Sequence, residues 1–395
     1  MATRIFFISN GMYGDNVGGG DLHGYQMAEA AQAAGYELHF IGGHALKGYL
    51  EKRGLAGQIS LSDKRRLPPF EAGTTAGQIR LLFDYVRRFV GTFRHLKQIE
   101  PGDYVHAVTD FWFDVIPAVL CKAKRKTTLL GMNSPTLREI LFKSRPDVTS
   151  IRLPSLYFWL SQTIALGVFR HCARKRMLYV HPDMKGRLLK LGYREDELVF
   201  GSNGVDVVLA DQVPPQEKAY DAVWIGRVHT QKGIEDLVAT LAFLAQTIEG
   251  FKALIIGRVK EELAPKVEAL GIRSRIHFSG FVSEEEKFRL FKSSRVFLMT
   301  SHYESWGLVI GEALACGVPV VAYDLEPYRP VFGEFLRYVP CFDLPGYKRM
   351  AEEQVLNMRK GENYLDQLAL AGFKQANSWA SVRAKFVRAL EDLKL

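Results

Sequence analysis

Short apolar runs alternate along the chain with longer stretches in which apolar residues recur at helical spacing. Arg4 to Ser9 reads as a buried strand, Leu22 to Ala34 as a helix ended by Gly35, and Glu37 to Ile41 as a second strand. Further strands are predicted at Tyr104 to Ala107, Thr127 to Gly131 and Met177 to Val180. Pro214 and Pro215 interrupt any regular element within Gly204 to Lys218, and beyond this linker the cycle restarts. Its strands are predicted at Asp221 to Ile225, Lys252 to Ile256, Arg275 to Phe278, Val296 to Met299 and Val318 to Ala322. Strands alternating with helices in both halves predict an α/β chain with two parallel, doubly wound, Rossmann-like sheets. Ligands of such sheets bind beyond the carboxyl ends of the strands. The expected domains are residues 1–205 and 206–375, with a terminal segment 376–395 carrying a last helix, Ala376 to Leu393.

A chain of 395 residues has room for two full cores, and 47% hydrophobic with 24% charged residues is ordinary for a globular protein. No signal peptide is read at the N-terminus, and the longest apolar stretch, Leu156 to Phe169, is interrupted by Ser161, Gln162 and Thr163 and too short to span a bilayer. Cys121, Cys172, Cys316 and Cys341 show no paired or metal-ligand spacing, so a reduced, cytoplasmic protein is expected. Charge is uneven: residues 1–200 hold 28 Lys and Arg against 18 Asp and Glu, the remainder 24 against 25. A basic half suits nucleic acid, anionic lipid or acidic glycan. The chain carries no recognised nucleic-acid module, so nucleic acid is not an expected partner.

Candidate chemistry concentrates in SHYESWGLVIGEALACGVPVVA, residues 301–322. Ser301 to Trp306 reads as the loop after a strand, and Gly307 to Cys316 as a helix closed by Gly317 and Pro319. Glu304 thus precedes the helix and Glu312 lies within it. Eight residues span about 12 Å if helical, so the carboxylates are too far apart to share one metal or one proton and are expected to grip separate hydroxyl groups. Between them the N–H groups around Trp306, Gly307 and Leu308 form a helix N-terminus suited to phosphate. A nucleotide-sugar has this layout of ribose, diphosphate and hexose.

The E-x7-E spacing, Gly307-Leu308 after Trp306 and the run EALACGVPVVA resemble the retaining glycosyltransferases of family 4, with further matches in order along nearly the whole chain. The resemblance implies the GT-B fold, two Rossmann-like domains facing a central cleft, with the last helix crossing back to the first domain. It implies transfer of a hexose-type sugar from a nucleoside diphosphate to a hydroxyl acceptor with retention, without metal or cofactor beyond the nucleotide-sugar co-substrate. The acceptor would be a glycan, a lipid-linked or a small molecule. The family sets its diphosphate-binding Arg and Lys in the G-R-x4-K-G pattern seen at Arg227 and Lys232, which with Glu304 form the expected catalytic set. Arg suits a diphosphate as a fork and Lys as a point charge. On the same register Gly19 and Gly20 approach the diphosphate, and Phe281 and Val282 lie at the nucleotide base, its identity left open. Trp306, Gly307, Leu308 and Glu312 complete the expected donor contacts, Glu312 at the ribose.

On the acceptor side, Asp110 and Trp112 combine a carboxylate with an aromatic face, as a sugar requires, whereas Asp114 equally suits a helix cap. The chain departs from the family at Asn133, where many members carry a His; Asn hydrogen-bonds but exchanges no proton near neutral pH. An amphipathic stripe, Ile79 to Leu96, is flanked by Arg80, Arg87, Arg88, Arg94 and Lys97. Packing on a core is the expected use of such a stripe, with peripheral attachment to an anionic membrane surface the alternative. A GT-B epimerase and a non-catalytic basic scaffold are the competing functions.

Overall fold

The computed structural model describes residues 3–12, 19–65, 75–131, 134–142, 152–227 and 229–394. The chain forms two compact units, Met1–Ser202 with Ala380–Leu395, and Asn203–Trp379. In the first unit, strands β1 (Arg4–Ser9), β2 (Glu37–Gly42), β3 (Gln58–Leu61), β4 (Tyr104–Ala107), β5 (Arg125–Leu130), β6 (Arg174–Tyr179) and β7 (Leu198–Phe200) make one sheet. Its order is β3-β2-β1-β4-β5-β6-β7, every pairing parallel. The second unit has β8 (Tyr220–Ile225), β9 (Ala253–Ile256), β10 (Ile276–Gly280), β11 (Ser294–Met299), β12 (Val320–Tyr323) and β13 (Leu336–Val339). These are also all parallel, in the order β10-β9-β8-β11-β12-β13. Helices cover both faces, which is why central strands such as Ile5 to Ile8 and Val296 to Leu298 are fully buried and nearly continuous in apolar residues.

Three strands escaped the sequence reading. β3, β7 and β13 lie at sheet edges, are three or four residues long, and are only partly buried, so they lack a sustained apolar run. The first helix starts at Gly19, not Leu22, which places Gly19 and Gly20 in its first turn rather than in a loop. The terminal helix expected over Ala376 to Leu393 spans Trp379–Glu391, and a separate helix, Gln367–Ala376, precedes it. Val205 pairs with Ser378 at the break between them. The Trp379–Glu391 helix packs within the first unit, its Phe386 against Phe7 and its Arg383 on Gln26 and Glu29.

The largest departure is the helix Thr75–Thr92, whose apolar stripe does not pack on a core. Phe83 is 71% and Val90 61% exposed, whereas Asp84, Arg88 and Thr92 are buried. A polar network claims the inner face. Arg88 donates to the Asn10 carbonyl at 3.0 Å and pairs with Asp84 at 2.6 Å and Asp63 at 3.3 Å. The Asn10 side chain donates to Thr92 Oγ1 at 3.1 Å and accepts from Ser62 Oγ at 2.8 Å. Buried charges are retained only when so paired and hydrogen-bonded, and this pairing fixes which side of the helix turns inward. No helix among the described residues is long and apolar enough to cross a membrane.

Candidate functional site

Strand order reverses between β8 and β11, the switch point where a doubly wound sheet opens a crevice. From β8 the chain runs through Gly226 and Arg227 into a short turn, Thr230–Lys232, and then the helix Ile234–Thr247. Gly233 joins them with φ of +61°, and a Cβ there would sit 2.0 Å from the Thr300 carbonyl oxygen, so glycine lets the two loops touch. Thr300 Oγ1 donates to the Lys232 carbonyl at 2.8 Å, the His302 N–H to the Gln231 carbonyl at 2.8 Å, and the Gln231 side chain to the Tyr303 carbonyl at 2.9 Å.

These bonds bring Lys232 and Glu304 into an ion pair, and Ser301 Oγ donates to the same carboxylate at 3.1 Å. Both partners keep part of their side chains open, 18% for Lys232 and 12% for Glu304. Arg227 is exposed at the end of β8 and has no ion-pair partner among the described residues. Partial desolvation, then the cations Arg227 and Lys232, hold the His229 imidazole below its ordinary value.

Gly307, at φ +80°, caps the helix Leu308–Ala315. Its first-turn N–H groups lie at the same strand ends as the Lys232 pair. Trp306 has a fully buried side chain packed on Phe332, ring centres 5.1 Å apart, so only its backbone is available to a ligand. Glu312 is already engaged: its Oε1 lies 2.7 Å from Lys287 Nζ, and Lys287 also pairs with Glu284 at 2.7 Å. Burial raises the Glu312 carboxyl above its ordinary value against the pull of Lys287. Burial opposes the Lys287 charge, but the two carboxylates outweigh it and raise its pKa.

Phe281 is 77% exposed beyond β10, with Val282 half-buried beside it. The Arg258 guanidinium lies 5.3 Å over the Phe281 ring. Sequence reasoning missed Arg258, although a signal was present: Ile256-Gly257-Arg258-Val259 repeats Ile225-Gly226-Arg227-Val228. A Cβ at Gly257, φ +126°, would meet the Gly226 carbonyl oxygen at 2.2 Å, so the two loops approach closely. Lys287 was likewise missed.

In the first unit, Gly19 and Gly20 are exposed at the start of their helix. Asp110 is buried beyond β4, accepts from Gln162 Nε2 at 2.5 Å, and is pushed by burial up to about 7. Gln162 in turn accepts the Ser134 N–H at 3.0 Å, and Arg187 donates to Ser134 Oγ at 3.0 Å. Gln162 was visible in the sequence only as an interruption of an apolar helix. Trp112 is used internally: it donates to the Tyr157 hydroxyl at 3.0 Å and packs edge-on against Phe89. Asp114 accepts the Asn10 N–H at 2.7 Å and the Thr109 hydroxyl at 2.6 Å, a structural role. Asn133 lies outside the described residues. No cluster of three or more His, Cys, Asp or Glu side chains fit to hold a metal occurs among the described residues.

Residues 209–339, which include Arg227, Lys232, Glu304 and Glu312, match the family described as glycosyl transferases group 1. Phosphatidyl-myo-inositol mannosyltransferase of Mycobacterium leprae is 30% identical over 199 residues, 46% of this chain and 52% of the relative. An uncharacterized glycosyltransferase of Methanocaldococcus jannaschii is 34% identical over 103 residues, 25% of this chain and 26% of the relative. The chain therefore spans about half or less of the length of these curated relatives. Among solved structures, sucrose-phosphate synthase of Thermosynechococcus elongatus superposes with a TM-score of 0.72 at 17% identity, covering 99% of both chains. An Anabaena protein in complex with UDP and glucose gives 0.68 at 16% identity, covering 99% of this chain and 100% of the other. Over its full length the chain thus has the GT-B fold of these solved structures, and residues 209–339 match the group 1 glycosyl transferase family.

Proposed function

We propose that this chain transfers a hexose-type sugar from a nucleoside diphosphate to a hydroxyl acceptor, with retention at the anomeric carbon and without a metal. The observation that carries the reading is the Lys232 to Glu304 pair at the switch point of the second sheet, with Arg227 exposed at the end of β8 and a helix N-terminus beside it. A diphosphate seated there draws on Arg227 and Lys232 for its charge and on the first-turn N–H groups for hydrogen bonds. Glu304 then accepts from a sugar hydroxyl in place of part of its bond to Lys232, and Glu312 from the ribose. As the bond from the anomeric carbon to the phosphate oxygen breaks, charge builds on the diphosphate, where the two cations stabilise it. The acceptor oxygen bonds to the same face, and its proton passes to the departing phosphate. Arg258 and Phe281 suit a planar base, the guanidinium and ring each offering a flat face.

The mannosyltransferase and the UDP-bound neighbour support a nucleotide-sugar donor and a glycan or lipid-linked acceptor as the substrate classes. Incubation with a panel of nucleotide-sugars and hydroxyl acceptors tests this. Nucleoside diphosphate release that requires acceptor, and a product retaining the donor's anomeric configuration by NMR, are expected. An epimerised sugar formed from donor alone, or an inverted product, would overturn the reading.

A further inference from the structure

The helix Thr75–Thr92 carries its polar face inward and its apolar face outward. With Asp84, Arg88 and Thr92 turned to the interior, helical geometry puts Ile79, Leu82, Phe83, Val86, Val90 and Phe93 along the opposite side, and all six are exposed. Arg80, Arg87 and Arg94, seven residues apart, follow one edge of this stripe. The one carboxylate of the helix, Asp84, is buried and paired with Arg88 and Arg87, so the outward face presents no negative charge.

The feature extends beyond one helix. The helix Trp112–Leu120 packs beside it through Phe89 and Trp112, and joins it to the helix Arg152–Phe169 through the Trp112 to Tyr157 bond. That third helix exposes Leu156, Leu160 and Ile164 and contains no acidic residue. Among the described residues of the first unit, every exposed large hydrophobic but Leu189 and Phe200 falls between Ile79 and Ile164. Scattered apolar residues need no explanation, but six along one face of a helix, with three more on a helix joined to it, make up a layer that does.

We propose that this layer is a membrane-docking face, entered by the Thr75–Thr92 helix lying in the plane of an anionic phospholipid bilayer. Phe83, Val86 and Val90 reach the acyl boundary while the arginine row meets lipid phosphates. Charge decides against a second copy as the occupant, because two such faces would oppose like rows of arginine. The proposal is independent of the donor-site reading.

Flotation of the full chain with phosphatidylcholine vesicles, and with vesicles rich in phosphatidylglycerol, at low and high salt, tests the proposal. Binding is expected to the anionic vesicles and to weaken at high salt. Replacing Arg80 by Ser should weaken it roughly fivefold. The double variant Phe83→Ser/Val90→Ser changes exposed side chains, so its circular dichroism and Tm should match the parent, while vesicle binding falls about tenfold or more. Brominated lipid should quench a Phe83→Trp variant more than the parent. Absent binding to anionic vesicles at low salt, or unchanged binding by the folded double variant, overturns the proposal. So does a stable dimer of the parent that the double variant dissolves.

Discussion

The two sheets share one strand order, the first with one edge strand more, yet the polar groups at their switch points are placed differently. Between β1 and β4, the N–H of Asn10 is bound by Asp114, its side chain by Thr92, Ser62 and the Phe113 carbonyl, and its carbonyl by Arg88. Every member of that set is buried. Between β8 and β11, Arg227 is exposed and the Lys232 to Glu304 pair is only partly covered. Polar groups at strand ends are therefore not in themselves a ligand site. Where they are saturated by one another they act as a rigid internal frame, and where their charge remains reachable they keep binding capacity for an anion.

If the first cluster is a frame, Arg88→Ala should be the most damaging change. It leaves Asp84 and Asp63 buried with reduced compensation, and a loss of about 3–5 kcal/mol is expected in urea unfolding. A loss near zero would erase the distinction between the clusters. Lys232→Ala should act in the other sense: turnover falls about a hundredfold or more, roughly 3–4 kcal/mol of transition-state stabilisation, with little change in Tm. Near-normal turnover in that folded variant would remove Lys232 from the donor site.

Glu312→Ala sharpens the comparison within the second unit, because Glu312 is both an anchor for Lys287 and the expected ribose contact. Nucleoside diphosphate binding should weaken about tenfold by calorimetry. Lost stability with unchanged affinity would leave Glu312 a structural anchor alone.

The smallest effect is on pH dependence and belongs to the buried first unit. Burial pushes Asp110 and Asp114 up from 3.8 to about 7, so the folded state holds protons there that the unfolded chain has released, and stability falls as pH rises through that range. Burial lowers His23 from 6.5 to about 4 and His106 to about 3, so below pH 6.5 the unfolded chain holds the extra protons and stability rises with pH. The two pairs oppose each other up to about pH 6. Above 6.5 the carboxyls outweigh the fading histidine contribution, and a fall on the order of 1 kcal/mol is expected before stability levels by about pH 8. Asp110→Asn should remove about half of that fall in urea midpoints; an unchanged profile would show that Asp110 does not titrate there.

The sequence made the central strands legible because buried parallel strands are apolar runs, and it made Arg227, Lys232 and Glu304 candidates because each follows such a run. It could not show which face of the Thr75–Thr92 helix turns inward. Periodicity reveals two faces, but the choice here rests on Asn10, Ser62 and Asp63, distant in sequence. The spacing of Asp84, Arg88 and Thr92 was the local hint. Short polar edges hid β3, β7 and β13, and the Lys287 pair with Glu312 joins residues on separate helices. Trp306 was correctly placed at the helix start, but its ring belongs to the core.

Calorimetric titration of uridine, guanosine and adenosine diphosphates into the parent and into the Arg227→Ala/Lys232→Ala double variant tests the donor site most directly. The open cluster predicts that one of these binds the parent, and that the folded double variant binds it at least about a hundredfold more weakly. A folded double variant with the parent's affinity would contradict the assignment of the β8 and β11 strand ends as the donor site.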